Sequence, residues 1–245
     1  MKASPLISFD KKEIQYYKGI RIKTDTNLHE QLSEYIVKNF DKNIKILDWG
    51  CGEGALSQKL KDLGYYVFSV DMNKNDFKAE TDFFHLNFND SNKVNEFIKE
   101  YSQKFDLILG IEVIEHVKSP WQYIENIYKL CNPETVVIVS TPNVASWWGR
   151  FWFLIKGELW GFSENGWKDP GHINPVLDFE IRNILRESKF KIIDFFNGGN
   201  QPIIWVYNWK RFLISIIFLP LYPFMQGIKK GWVNCYVFKK DEIDR

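Results

Sequence analysis

Glu112, Glu115 and His116 stand at i, i+3 and i+4 in the segment Gly110-Ile111-Glu112-Val113-Ile114-Glu115-His116-Val117. If that segment turns helically, the three side chains share a face. Two carboxylates and an imidazole make a hard-to-borderline donor set, suited to Mg²⁺, Mn²⁺, Fe²⁺ or Zn²⁺. His172, one of four histidines, lies in Asp169-Pro170-Gly171-His172-Ile173-Asn174-Pro175, a loop stiff enough to present its imidazole to the same place. A metal-free reading stands beside this one: Glu115 caps or forms an ion pair, and His116 is a hydrogen-bonded core imidazole. His29 and His85 read as structural. A second chemical signal is Asp48-Trp49-Gly50-Cys51-Gly52-Glu53-Gly54, with Asp71 about 20 residues on. Glycines let a backbone turn tightly and approach a ligand closely, and an acid at that spacing suits a ribose diol. The strict alternation departs from the GxGxxG of a pyrophosphate site, and Asp48 and Glu53 bring negative charge to the turn. Those features suit a ligand with a cationic end and no phosphate.

Elements that could position these groups are legible around them. Ile44 to Trp49, Tyr65 to Val70, Phe83 to Phe88, Phe105 to Gly110 and Thr135 to Ser140 read as strands. Helical patterns run from about Ala55 to Leu63, Lys93 to Tyr101 and Trp121 to Leu130. Such alternation means βαβ units and a mostly parallel sheet. A helix over 177–188 and strands over 190–196 and 232–239 follow, and an amphipathic helix over 27–40 precedes the sheet. The acidic segment then starts at the carboxyl end of a strand, where open α/β sheets bind ligands.

Lys+Arg of 32 against Asp+Glu of 31 gives a net charge of +1, which argues against bulk electrostatic binding of nucleic acid. Cys51, Cys131 and Cys235 form no disulfide framework or CxxC pair and suit reduced thiols in a cytoplasmic protein. The first residues, Met1 to Ile7, lack the apolar core of a signal peptide. The uncharged run from Phe212 to Met225 falls short of the roughly 20 residues of a spanning helix and contains two prolines.

Ile46 to Gly54, Asp71, Phe105-Asp106-Leu107-Ile108 and the fifth strand resemble class I S-adenosylmethionine-dependent methyltransferases over about residues 40–195. The resemblance implies an α/β, Rossmann-like, doubly wound, mostly parallel seven-stranded sheet with an antiparallel last strand. It implies S-adenosylmethionine held by Asp48, Gly50, Cys51, Gly52 and Gly54 on the turn and by Asp71 and Met72 after the second strand. Asn87, Phe88 and Ile111 complete the set, with Asn87 where relatives often carry Asp. Glu-Val-Ile-Glu-His with a His about 55 residues later is similar to two metal-dependent groups. One acts on polyprenyl-dihydroxybenzoate quinone precursors, the other on the 3′-terminal ribose of small RNAs. This implies Glu112, Glu115, His116 and His172 as ligands of a divalent metal. Without a metal, His116 or His172 is the general-base candidate beside Glu115. Ser140-Thr141-Pro142-Asn143 followed by Gly171 to Pro175 looks instead like methyltransferases of bacterial surface-polysaccharide or glycolipid biosynthesis.

A single domain over 1–245 is expected: a helical cap (1–40), a cofactor-binding core (41–199) with a lid insertion (144–176), an apolar aromatic insertion (200–231), and a last strand with its tail (232–245). Trp147 to Ile155, Trp160 to Phe162, and Trp205, Tyr207, Trp209, Lys210 and Arg211 followed by an apolar run suit a hydrophobic mouth. They also suit a helix lying on a membrane through 203–225, or a partner interface. The expected activity is methyl transfer to a hydroxyl of a glycan, glycolipid or lipid-linked acceptor of surface-polysaccharide biosynthesis. The alternatives are a prenylated quinone precursor, an RNA 3′-terminal ribose, and a cofactor-binding membrane scaffold without catalysis.

Overall fold

The computed structural model describes Ile7, Ser8 and residues 14–241, so the expected tail over 242–245 and most of the extreme N-terminus lie outside the described residues. A short strand β1 (Ile7–Ser8) and a hairpin of β2 (Gln15–Tyr17) and β3 (Ile20–Ile22) come before α1 (Leu28–Asn39). Next come β4 (Lys45–Trp49), α2 (Ala55–Asp62), β5 (Tyr66–Asp71), β6 (Asp82–His85), α3 (Ser91–Tyr101), β7 (Leu107–Gly110), α4 (Pro120–Leu130) and β8 (Val136–Pro142). The last third holds α5 (Trp147–Lys156), α6 (Glu164–Lys168), α7 (Asp178–Glu187), β9 (Phe190–Gly198), β10 (Ile204–Trp205), α8 (Trp209–Phe218) and β11 (Val233–Lys240).

Seven strands form one sheet in the order β6-β5-β4-β7-β8-β11-β9. Its pairs are parallel except that β11 runs antiparallel to both β8 and β9. This is the expected α/β, doubly wound sheet with an antiparallel last strand. Side chains alternate across each strand and split the core in two. Leu47, Trp49, Ile108, Val137 and Val139 pack under α3, α4 and α7, while Ile46, Leu107, Leu109 and Ile138 pack under α1 and α2. With both faces covered, the runs Ile46-Leu47, Leu107-Ile108-Leu109 and Val137-Ile138-Val139 are continuously apolar rather than alternating. Local signals set the helices: Asp90 and Ser119 cap α3 and α4 through their side chains, and Pro120 opens α4.

The strand order reverses at β4, flanked by β5 on one side and β7 on the other. The Gly-rich turn leaves β4 and the acidic segment leaves β7, so both chemical signals meet at the sheet's switch point.

Two sequence expectations need adjusting here. The N-terminal cap is not purely helical: the hairpin sits on α2, held by Tyr17 Oη donating to Asp62 (2.9 Å) and by a Lys18–Asp62 ion pair (2.8 Å). The third strand stops at His85 rather than Phe88. There Leu86 N donates to Asp71 O (2.9 Å) and a turn follows, with Asp90 N donating to Asn87 O (2.9 Å).

The two aromatic insertions form one body. Trp205 packs on Trp147 (ring centroids 5.0 Å apart) and Trp148 (4.8 Å), and Phe151 on Phe218 (5.0 Å). Asn143 pins this body to the end of β8: its Nδ2 donates to Ile228 O (3.2 Å), Lys230 O (2.9 Å) and Gly231 O (3.1 Å). No helix among the described residues is long and apolar enough to cross a membrane.

Candidate functional site

The turn after β4 is built by close approach. Gly50 has φ +106°, and a Cβ there would lie 2.4 Å from Val113 Cγ2. Gly54 (φ +90°) likewise abuts Ala79 and Phe77, whereas a Cβ on Gly52 (φ +56°) would meet nothing within 4 Å. The turn is therefore packed from beneath at Gly50 and Gly54 and open at Gly52. Asp71 lies across from it: its Oδ2 accepts from Gly52 N (2.9 Å) and its Oδ1 from Asn73 N (2.9 Å). Each carboxylate oxygen keeps a further lone pair, so the group can still accept from a diol.

The other acids of the turn are committed within the protein. Asp48 is buried, which pushes its carboxyl up to about 7. A hydrogen bond from Ser57 Oγ (2.6 Å) works against that rise, and the charge of Asp71 adds to it. Glu53 is held by Lys78 (2.6 Å) and Lys23 (3.3 Å), which keep it below the usual carboxylate range. The negative charge read from the sequence is thus largely internal, and Asp71 is the acid facing the open side. Cys51 is half-buried, its amide donating to Val70 O (3.1 Å). Met72 is exposed, and its carbonyl is bonded by His85 Nε2 (2.8 Å). Asn87 Oδ1 accepts from Asn89 N (3.0 Å). Phe88 lies over Trp49 at 4.5 Å, and Ile111 is buried in the core between sheet and α1.

The segment after β7 does not turn helically. Glu112 has φ +55°, with its amide donating to Ser140 Oγ (2.9 Å) and its Oε1 accepting from the same hydroxyl (3.0 Å). A single tight turn follows, closed by His116 N donating to Val113 O (2.9 Å). Ser140 thus draws Glu112 toward β8, while the turn carries Glu115 and His116 together.

The loop of His172 is stitched to that turn. The amides of Ile173 (2.9 Å) and Asn174 (3.0 Å) both donate to Glu115 O, and the Asn174 side-chain amide donates to Val117 O. Donor atoms of Glu115, His116 and His172 come to lie within 4.8 Å of one another, and no fourth His, Cys, Asp or Glu among the described residues joins that group.

Three observations fit this trio to a divalent cation. Both Glu115 oxygens are buried without a hydrogen-bond partner, with His116 Nε2 3.8 Å from Oε1. Burial, reinforced by the nearby Glu112 carboxylate, raises the Glu115 carboxyl well above its usual range. His116 Nδ1 lies 3.0 Å from Gly171 O, and His172 Nδ1 lies 3.0 Å from Gly161 O. A carbonyl only accepts, so both Nδ1 atoms carry the proton and each Nε2 keeps its lone pair, the arrangement found in metal-ligating histidines. Burial lowers both imidazoles below their usual pKa, the neighbouring His172 adding to the effect at His116.

His172 also forms one wall of a chamber of about 310 Å³, lined besides by Trp152, Leu159, Trp160, Ser163 and Asp169. The sequence reading expected a lid and a hydrophobic mouth from these aromatics but did not bring Trp152 and Trp160 to the wall that His172 shares. It also missed Ser140 as the clamp of Glu112, and the Gly161 and Gly171 carbonyls as the groups fixing the imidazoles. Backbone acceptors carry no residue-type signal, although the glycines flanking each turn mark where such close approach occurs.

A family described as a methyltransferase domain matches residues 24–194. The ubiquinone biosynthesis O-methyltransferase of Pelagibacter ubique is 31% identical over 153 residues, 58% of this chain and 57% of that protein. The protein of the same name from Rickettsia typhi is 30% identical over 167 residues, 65% of this chain and 67% of its own length. The chain therefore spans less than two thirds of the first of these relatives. A solved methyltransferase from Archaeoglobus fulgidus, described as S-adenosylmethionine-dependent, shares the fold with a TM-score of 0.61 at 17% identity, over 86% of this chain and 92% of that one.

Proposed function

The chain belongs to the class I S-adenosylmethionine-dependent methyltransferases, and from that premise we propose that it transfers a methyl group to one oxygen of an ortho-dihydroxy acceptor bearing an apolar tail. The observation that carries the reading is the Glu115–His116–His172 trio, a buried carboxylate with two half-buried imidazoles, beside an aromatic-lined chamber. The curated relatives, named for ubiquinone biosynthesis, support a prenylated phenol over the polysaccharide acceptor expected from Ser140–Asn143 and Gly171–Pro175.

Asp71 would accept from the ribose hydroxyls of the cofactor, and the open side of Gly52 leaves room for its methionine portion. The methyl group passes to the acceptor oxygen by in-line displacement at the sulfonium carbon, and the chain's main contribution is to hold the two reactants in register. The acceptor hydroxyl must also lose its proton. Glu115, His116 and His172 would hold a divalent cation, and Glu112, clamped by Ser140, would lie behind them as a second carboxylate. Such a cation would supply Lewis-acid polarisation of adjacent hydroxyls, lowering their pKa. The Gly161 and Gly171 carbonyls keep the imidazoles in one tautomer, and Trp152, Leu159 and Trp160 exclude water from the acceptor ring. In a metal-free reaction, the Nε2 lone pair of His116 or His172 takes the proton.

The test is methyl transfer from radiolabelled S-adenosylmethionine to three acceptors: a catechol with a short prenyl tail, its monohydroxy analogue, and an alkyl glycoside. Each is run with and without chelator. Turnover of the catechol alone, lost in chelator and restored by Mn²⁺ or Zn²⁺, is expected. Preference for the glycoside overturns the acceptor assignment. Turnover unaffected by chelator overturns the metal reading in favour of an imidazole base.

A further inference from the structure

Water-soluble helices bury an apolar stripe and expose a polar one, and α8 departs from this pattern by being apolar on its outer side as well. Its inner side, Ile214, Ser215 and Phe218, packs into the tryptophan cluster or hydrogen-bonds within it. The outer side exposes Trp209 (68%), Phe212, Leu213, Ile216 and Ile217 (67%), and the chain beyond continues with Leu219, Leu221 and Phe224 (78%). The Phe151–Phe218 contact joins α8 to α5, whose Phe153, Leu154 (71%) and Ile155 are also exposed. Apolar side chains are thus clustered on the outside of two adjoining helices, where single exposed ones would need no explanation.

Charge indicates what covers this face. Residues 147–156 and 203–230 hold six Lys or Arg and no Asp or Glu, which leaves 26 against 31 in the rest of the chain. Of the six, Lys156, Lys210 and Lys230 are exposed. A second copy in an isologous contact would set these like charges against themselves, whereas anionic headgroups would neutralise them. Trp209 beside Lys210 at the start of α8 is the pairing favoured at a lipid–water boundary. With ten residues, α8 is about 15 Å long and cannot span a bilayer, but it can lie in its surface.

We propose that the α5–α8 face docks on an anionic lipid bilayer, with α8 flat in the interface and its outer side chains among the upper acyl chains. This rests on the exposed face and its charge, independently of the acceptor assigned above. Trp152, on the same helix as the exposed Phe153–Ile155, lines the chamber that ends at His172, so docking would set the chamber beside the lipid.

The test is flotation of the full chain with vesicles of phosphatidylcholine alone or mixed with phosphatidylglycerol, with tryptophan emission followed in parallel. Binding to the mixed vesicles is expected, with a blue shift and weakening in high salt. Ile217→Asp and Leu213→Asp should each weaken it at least about tenfold, since each removes an exposed apolar side chain that docking would bury. Val37→Asp, an exposed apolar position on α1, should leave it unchanged. Calorimetry with S-adenosylhomocysteine confirms that each variant is folded, and its outcome does not depend on docking. Equal partition to both vesicle types, no partition at all, binding untouched by Ile217→Asp, or a solution dimer that Ile217→Asp dissociates while vesicles stay empty, each overturns the proposal.

Discussion

Glu115→Met separates a ligand from a structural carboxylate. Glu115 is fully buried, and neither of its oxygens has a hydrogen-bond partner. A buried polar group left unsatisfied costs about 1–3 kcal/mol. Methionine keeps the unbranched length and removes the polar atoms, so in chelator the variant should be more stable than the wild type by about 2 kcal/mol. For a chain of this size that corresponds to a melting temperature higher by about 4–8 °C. Excess Mn²⁺ or Zn²⁺ at about a hundred times its dissociation constant adds about 2.7 kcal/mol to the wild type. The variant, lacking the one carboxylate of the trio, should gain little, so the order of stability inverts and methyl transfer is lost. Scanning calorimetry in chelator and in each metal reads both arms. If Glu115→Met melts below the wild type in chelator, Glu115 makes favourable contacts in the metal-free protein and the orphaned-ligand argument fails. If no metal shifts the wild type, the site reading fails with it.

Asp71→Asn should weaken S-adenosylmethionine binding about 10–100-fold by removing a charged acceptor from the ribose, as read by calorimetry. Gly50→Ala should destabilise by about 3 kcal/mol in urea unfolding, from the φ of +106° and the approach of a Cβ to 2.4 Å from Val113. Adding Val113→Ala should return about 1 kcal/mol of coupling energy without relieving the backbone term. His29 is buried, and burial, aided by Lys59, pushes its pKa down to about 3, so the folded protein holds it neutral. The unfolded chain takes up a proton below about pH 6.5, so stability falls as pH drops from there toward 3, by about 2 kcal/mol between pH 7 and 5. His29→Leu should remove that part of the acid loss, and equal pH slopes for variant and wild type in urea unfolding would contradict the assignment.

The sheet was legible because β4, β5, β7 and β8 are apolar runs bounded by turns, and the alternation with helices left little choice of topology. The path of residues 110–117 was not. Glu112, Glu115 and His116 carry the i, i+3, i+4 spacing of a helix face, yet Ser140, distant in sequence, bonds both the amide and the carboxylate of Glu112 and turns the chain. Glu115 and His116 still meet His172, because the loop amides of Ile173 and Asn174 converge on the Glu115 carbonyl. Residue type thus indicated which groups are candidates for the chemistry, while hydrogen bonds across 55 or more residues, from the loop amides to Glu115 O and between His116 and Gly171 O, decided how they meet. The same holds at the Gly-rich turn. The sequence showed three acids there, but only the partners of Asp48 and Glu53 reveal that Asp71 alone faces the open side.

The position of α5 connects chemistry with location. Trp148 and Trp152 are four residues apart and share the helix's inner stripe, Trp148 against Trp205 and Trp152 on the chamber wall, while Phe153 to Ile155 point outward. Moving the outward residues to a polar set would cost the isolated protein nothing in core packing and would improve its solubility. Their apolar character is therefore a cost borne on the surface, as the unpartnered Glu115 is a cost borne in the interior. Neither is explained by the stability of the fold, and each would become favourable with the occupant proposed for it, lipid at one and a cation at the other.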